Sequence, residues 1–336
     1  MSVIQHGRRW AALAVIAWIV ALLALLVGHL VLPQRSGPLA LTMIVEPYLV
    51  LSALVVAPVL LVCRRMTRTA LVAMLLAATV VRYGQAFLSL SAAAPADATL
   101  IDVVSWNLQA EGVAPPDVAA LVASADVDIV GLQELRPATA DALSADAGVR
   151  ERFPYQAFAP QATVLGMGLL SSHPITEQES WSDPPLIRAV IEPSGGAAIG
   201  VVVAHPFPPR ITTLAGVPFS LDTSRRDAAI GRIRERVDAD LASRRSVIIL
   251  GDFNVTEREP AYADLASGLH DAHLGAGHGP GLTWRPPGLQ WLPFGLLRID
   301  YVLAGPDLVP LSAGHDCRPR GSDHCIVSAT FGRSDE

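Results

Sequence analysis

Residues 246–254 read Ser246-Val247-Ile248-Ile249-Leu250-Gly251-Asp252-Phe253-Asn254, and the rest of the chain is understood from this stretch. The apolar run, β-branched in its middle, predicts a short buried strand that Gly251 ends. Asp252 and Asn254 follow two residues apart, on one side if the extended geometry persists. A carboxylate and an amide so placed can hold a water and a phosphate oxygen together. The same residues also suit a strand followed by an Asx turn.

Other fragments end in residues of the same kind. They are Ser105-Trp106-Asn107, Gly131-Leu132-Gln133-Glu134, Arg298-Ile299-Asp300-Tyr301 and Gly321-Ser322-Asp323-His324, with His205 after the apolar run 199–204. Gly168-Leu169-Leu170-Ser171-Ser172 lies between the second fragment and His205. In this order and at these separations the set resembles the endonuclease/exonuclease/phosphatase superfamily, which includes deoxyribonuclease I, abasic-site endonucleases, inositol-polyphosphate 5-phosphatases and neutral sphingomyelinases. The resemblance covers residues 99–332.

Composition divides the chain in two. Hydrophobic residues make up 51% and charged residues 17%, too apolar for an ordinary soluble enzyme. The excess lies in residues 1–90, which hold seven Arg and one acid, Glu46. The remainder carries 18 Arg and 30 acids, a net charge near −12. An acidic domain disfavours nucleic acid as a partner, because phosphate binding wants a basic face, although bound metal supplies local positive charge. Cys63, Cys317 and Cys325 form no zinc-type spacing.

Residues 10–32 contain no charged residue and are long enough to span a bilayer. Residues 39–62, broken by Glu46, Pro47 and Pro58, and 69–90, broken by Arg82, are two further runs. Arg8 and Arg9 precede the first run, Arg64, Arg65 and Arg68 fill the second connection, and the first connection has only Arg35. The positive-inside rule then places the N-terminus in the cytoplasm and everything after Leu90 outside, on a cell membrane. Glu46 and Arg82, at similar depth, are expected to pair or jointly hold a lipid headgroup. Three domains follow: an anchor of three transmembrane helices (1–90), a small-residue linker (91–98) and a catalytic domain (99–332).

In the catalytic domain, strands are predicted at 100–106, 128–132, 168–171, 187–191, 197–204, 299–303, 308–313 and 325–331. Helices are predicted at 116–125, 139–152, 222–243 and 260–266, the third from Ile230, Ile233, Val237 and Leu241 at helical spacing. The interleaving lacks strict βαβ alternation, which favours an α+β sandwich. The resemblance implies a four-layer α/β/β/α sandwich with the site where strand ends of the two sheets meet.

The resemblance also implies roles. Glu134 is the expected principal metal ligand, with Asn107 beside it and Asp323 near the metal or the water. Hard oxygen ligands suit Mg²⁺, or Mn²⁺. Asp252 would orient and deprotonate the attacking water, and Asn254 would donate to a phosphate oxygen. His324 would stabilise or protonate the phosphoryl group with Asp300 fixing its tautomer. His205 would bind phosphate or act as general acid. His173 is expected to be structural, and His270, His273, His278 and His315 to be surface residues.

The segment 282–297 places Trp284, Trp291, Leu292, Phe294, Leu296 and Leu297 before Asp300, and suits either an interfacial loop or a loop packed on its own domain. Cys317 and Cys325, eight apart in an oxidising compartment, are expected to cross-link. The reading is a membrane-anchored, metal-dependent phosphoric ester hydrolase acting on a phosphodiester or phosphomonoester, lipid headgroups among the candidates. The alternatives are an extracytoplasmic nuclease acting on DNA or RNA, and an inactive membrane scaffold.

Overall fold

The computed structural model of the chain describes residues 3–32, 34–61, 66–87, 98–193 and 196–333. It forms two compact units. Three helices long and apolar enough to cross a membrane, Arg9–Val31, Pro38–Leu61 and Met66–Phe87, belong to the first. The second and third were expected at 39–62 and 69–90; residues 62–65 and 88–90 lie outside the described residues, as do Cys63, Arg64, Arg65 and all of the expected linker except Ala98. Helix Pro38–Val56 runs on through Pro47, and the interruption comes at Ala57, just before Pro58. Proline removes one backbone hydrogen bond, and the apolar packing of Met43, Val50 and Ala53 keeps the helix continuous.

This unit is inverted relative to a water-soluble bundle. Glu46 and His29 are buried, while Val20, Val27, Leu51, Val55, Met74 and Val80 face outward. The expected pair is present, Arg82 Nε donating to Glu46 Oε1 at 2.8 Å. The sequence reading missed two further partners of the carboxylate, Tyr83 Oη at 3.0 Å and His29 Nδ1 at 2.5 Å. His29 Nε2 lies 2.9 Å from Thr42 Oγ1. A buried carboxylate is tolerated in an apolar layer when its oxygens are filled in this way. The same unit includes Arg210–Asp222 and Arg258–Pro260. Arg258 lies over the Tyr83 ring, 4.4 Å from its centroid, and donates to the Arg82 carbonyl.

The second unit holds two six-stranded sheets. We number their strands in chain order: β1 Thr99–Asn107, β2 Ile129–Gln133, β3 Tyr155–Ala159, β4 Met167–Ser171, β5 Ile175–Ser182, β6 Pro185–Ile191, β7 Ile199–Ala204, β8 Ser246–Asp252, β9 His270–Asp271, β10 Asp300–Ala304, β11 Leu308–Asp316 and β12 Ile326–Arg333. One sheet has the order β11-β12-β1-β2-β4-β3 and the other β9-β10-β8-β7-β6-β5. Among the described residues of these sheets, the β1/β2 and β7/β8 pairs are parallel and the others antiparallel. Val103, Ile129 and Leu169 of the first sheet meet Val201, Val203, Ile248 and Leu250 of the second in a shared core. Helices Pro115–Ala123 and Pro137–Ala145 cover the outer face of the first sheet through Val118, Val122 and Leu143. Helix Ser224–Ala242 covers the second through Ile230, Ile233 and Val237. The result is the expected α+β sandwich of four layers.

β8 is buried throughout because both its faces are covered, which is why it reads as a continuous apolar run. The predicted helix 139–152 is two helices, Pro137–Ala145 and Ala147–Arg152, because Asp146 leaves the helical conformation and caps the second through the Val149 N–H. Strands β3 and β5 were not foreseen; both lie at sheet edges, and β5 is largely exposed, so its apolar signal is weak.

Candidate active site

The parallel strands β1, β2, β7 and β8 all end at the same edge of the sandwich. Asn107, Glu134, His205 and Asp252 lie at or just past these ends. The antiparallel strands β10 and β12 begin there, bringing in Asp300 and, just before β12, His324. Asp252 and Asp300 are direct register partners across β8 and β10. Residues separated by up to 217 positions in sequence thereby converge.

Asp252 is the hub. Its carboxylate accepts from Asn107 Nδ2 at 3.0 Å and from the Asn254 backbone N–H at 2.9 Å. His205 Nε2 lies 3.3 Å from it, and His324 Nε2 3.6 Å. Burial alone would raise the Asp252 pKa, but the two imidazoles and the Asn254 N–H outweigh it and hold the carboxyl below its ordinary value. Glu134 moves the other way: burial pushes it up, against the pull of His205 and the Asn107 amide, with the nearby Asp252 charge adding to the rise. Two neighbouring carboxylates are thus driven apart in basicity, which is how acid and base tasks are divided in such sites.

Backbone geometry contributes. Glu134 and Asn254 both have positive φ, 57° and 51°, in a region L-residues adopt rarely. Gly251 has φ 150°, and a Cβ there would fall onto the Ala204 carbonyl of the parallel neighbour β7. Only glycine lets β7 and β8 deliver His205 and Asp252 side by side.

The imidazoles are oriented from behind. His205 Nδ1 lies 3.2 Å from the Val164 carbonyl, which can only accept, so Nδ1 carries a proton. Its Nε2 faces the Asp252 and Glu134 carboxylates, and these favour a proton there as well. Burial opposes the charge, the two carboxylates outweigh it, and the His205 pKa is raised. His324 Nδ1 lies 3.0 Å from Asp300 Oδ2, with Asp252 and Asp323 on its Nε2 side. Burial again opposes, and Asp300 and Asp252 prevail, pushing the His324 pKa up to about 10. Asp300 is itself fixed by the Thr283 hydroxyl at 2.5 Å.

Asn107 enters by its amide nitrogen, bridging Glu134 Oε1 at 3.2 Å and Asp252, while its oxygen takes the Gln109 backbone N–H. In this conformation it holds the two carboxylates together, and offering its oxygen to a cation needs an amide rotation. Asn254 gives one amide hydrogen to the Pro206 carbonyl, and the other has no acceptor among the described residues. Asp323 accepts from Trp284 Nε1 at 3.1 Å.

The residues can hold a divalent cation. Glu134, Asp252, Asp300 and Asp323 gather here around the imidazoles of His205 and His324. Ligand atoms of Asp252, Asp300 and His324 lie within 4.8 Å of one another. Asp300 and His324 are already joined by their hydrogen bond, which leaves Asp252 and Glu134 as the oxygens with capacity to spare.

Sequence reasoning missed the supporting residues. Gln109 Oε1 takes the Asp323 N–H, Ser322 Oγ donates to the Asn107 carbonyl and accepts the His324 N–H, and Thr283 and Trp284 grip Asp300 and Asp323. Arg285 is buried and donates to six backbone carbonyls: Gln290, Leu292, Cys317, Ser322, Asp323 and His324. It ties the 282–297 segment to the segment carrying Asp323 and His324. Cys317 and Cys325 form the expected disulfide, with their Cα atoms 4.3 Å apart. In segment 282–297, Trp284 and Arg285 are anchored while Trp291 and Phe294 are exposed.

His173 lies 3.4 Å from Asp128 and outside the cluster. His270, His278 and His315 are exposed, as expected. His273 is not a surface residue: it is partly buried, Nε2 bonds the Gly279 carbonyl, and burial lowers its pKa.

This sandwich, with carboxylates and imidazoles gathered at one edge, defines a metal-dependent phosphoester hydrolase. The model of the Endonuclease/Exonuclease/phosphatase family matches residues 104–324, and the chain belongs to this family. Among curated proteins none matches it. Among solved structures, truncated Caenorhabditis elegans TDP2 is similar at 18% identity and TM-score 0.53, covering 69% of this chain and 97% of that one. The endonuclease/exonuclease/phosphatase from Bacteroides vulgatus is similar at 15% identity and TM-score 0.53, covering 70% and 100%. D. rerio TDP2, solved with a single-strand DNA product, is similar at 19% identity and TM-score 0.52, covering 69% and 99%.

Proposed function

We propose that the protein is a membrane-anchored phosphoesterase that uses Mg²⁺ or Mn²⁺ to hydrolyse a phosphodiester or phosphomonoester outside the cytoplasm, with a lipid headgroup as the favoured substrate. The convergence of Asp252 with Glu134, His205 and the His324–Asp300 pair carries the reading. Glu134 is the principal metal ligand, with Asn107 holding its carboxylate and Asp323 close by. A divalent ion supplies positive charge to the phosphoryl oxygens.

Asp252, whose carboxyl stays ionised, aims a water and takes its proton. His324, kept protonated by Asp300, donates to a phosphoryl oxygen and neutralises charge as it builds. His205 presents Nε2–H to phosphate or to the leaving oxygen. The free amide hydrogen of Asn254 adds one more donor.

Three apolar helices and the Arg distribution support an anchor with residues after Leu90 outside. Alkaline phosphatase fused after Ala94 is expected to be active; an inactive fusion, with a cytoplasm-dependent fluorescent protein bright at the same site, would reverse the orientation. The exposed Trp291 and Phe294 support an interfacial loop.

A nuclease is the second reading, favoured by the similarity to D. rerio TDP2 bound to single-strand DNA. The acidic balance of residues 91–336 weighs against it. An inactive scaffold is disfavoured because all eight expected residues are present. The test is a hydrolysis screen of the full-length protein with Mg²⁺ against phospholipids, sugar phosphates, DNA and RNA. Asp252→Ala, Glu134→Ala, His324→Ala and EDTA are each expected to abolish turnover; full activity in EDTA or in Asp252→Ala would overturn the proposal.

A further inference from the structure

A hairpin, Arg210–Leu214 and Val217–Asp222, interrupts the catalytic sequence between β7 and β8. Ala215 and Gly216, both at positive φ, form its two-residue turn. It belongs to the same compact unit as the three apolar helices. Its second strand pairs with Ser36–Gly37, the connection between the first two helices, and packs against the helix Pro38–Val56.

The side chains do not suit water. Ile211 is 52% exposed, Leu214 and Val217 are each 65% exposed, and Phe219 is 53% exposed. With Ser36–Gly37 the hairpin makes a small three-stranded sheet, and a sheet of this size needs a covering surface on its apolar face to be stable in water. From Ile211 to Leu221 the hairpin carries no charge, although it is set in a strongly acidic part of the chain. Its charges lie only at the base, where Arg210 and Asp222 are register partners. A charged base and an apolar, uncharged tip are the distribution of a segment that enters a membrane interface.

We propose that the 210–222 hairpin is seated in the lipid bilayer, tip inward, as an attachment of the catalytic polypeptide additional to the three spans. The bilayer is favoured over a second copy of the chain because the hairpin base is bonded to the connection where two spans leave the membrane. Its apolar side chains are therefore held beside the helix Pro38–Val56. The inference rests on the membrane-embedded reading of the helices and not on the identity of the substrate.

The full-length protein in phospholipid nanodiscs is photolabelled by a carbene precursor confined to the acyl chains, and adducts are mapped by mass spectrometry. Adducts are expected on 211–219 as well as on the three spans. Labelled spans with an unlabelled hairpin would overturn this inference alone; absence of label from the spans would overturn the membrane reading itself. In a Cys63→Ser background, a nitroxide on Leu214→Cys is expected to relax with oxygen and to be shielded from an aqueous nickel chelate in discs holding one copy. Shielding that appears only in discs holding two copies, with a short label-to-label distance, would assign the hairpin to a second copy and overturn the proposal.

Discussion

Reducing the Cys317–Cys325 disulfide should destabilise the catalytic domain by a magnitude the loop length sets. The bond spans eight positions and encloses Asp323 and His324. Closing so short a loop removes about 2.5 kcal/mol of unfolded-state entropy at 25 °C, taking about eight residues in the chain-entropy relation. For a domain of this size each kcal/mol moves the midpoint by about 2–4 °C, so reduction should lower it by about 5–10 °C. The assay is thermal unfolding of the full-length protein in detergent, followed by tryptophan fluorescence, with and without a phosphine reductant. A Cys317→Ala/Cys325→Ala variant should match the reduced protein and be indifferent to reductant.

Activity at low temperature should fall less, because Arg285 still grips the Cys317, Ser322 and His324 carbonyls. Removing that grip with Arg285→Met leaves these three buried acceptors without the donor and should cost at least about 3 kcal/mol. A shift on reduction of less than about 2 °C would refute the reasoning. It would mean that the ends of this loop stay close together in the unfolded, reduced chain.

Three other outcomes follow. In metal-free protein, His324 should remain an imidazolium to about pH 10, read from its ring nitrogens by NMR. Because its pKa is raised on folding from an unfolded value near 6.5, its stabilisation is complete below about pH 6.5 and is lost as pH rises through about 10; a titration near 6.5 would contradict the Asp300 and Asp252 contacts. Gly251→Ala should abolish hydrolysis and destabilise by about 2 kcal/mol or more, since a Cβ collides with the Ala204 backbone carbonyl; wild-type kinetics in this variant would exclude a strict β7–β8 spacing requirement. Glu46→Gln and Arg82→Met should couple by about 1 kcal/mol or more in a double-mutant cycle read by unfolding in detergent; additive effects would show that His29 and Tyr83 alone satisfy the carboxylate.

The two parts of this chain were legible to different depths. The three helices long and apolar enough to span a bilayer could be read directly, because length and composition mark each of them independently of its neighbours. β8 was legible for a related reason: both its faces are buried, so its apolar run carries its own signature. The residues expected at the site occupy strand ends, and short apolar runs mark those ends locally.

What surrounds them was not legible. Arg285, Ser322, Gln109 and Thr283 act through contacts with residues distant in sequence, and nothing in their own neighbourhoods announces it. Nor could the sequence show that Asn107 faces the carboxylates by its nitrogen, because Glu134 and Asp252 lie 27 and 145 residues away. His29 looked like one polar residue in an apolar helix until the fold brought Glu46 to it. The 210–222 hairpin, short and unremarkable in pattern, acquired meaning only when its strand paired with Ser36–Gly37. Periodicity and composition report what a segment does to its solvent; which distant side chain completes a hydrogen bond is decided by tertiary packing alone.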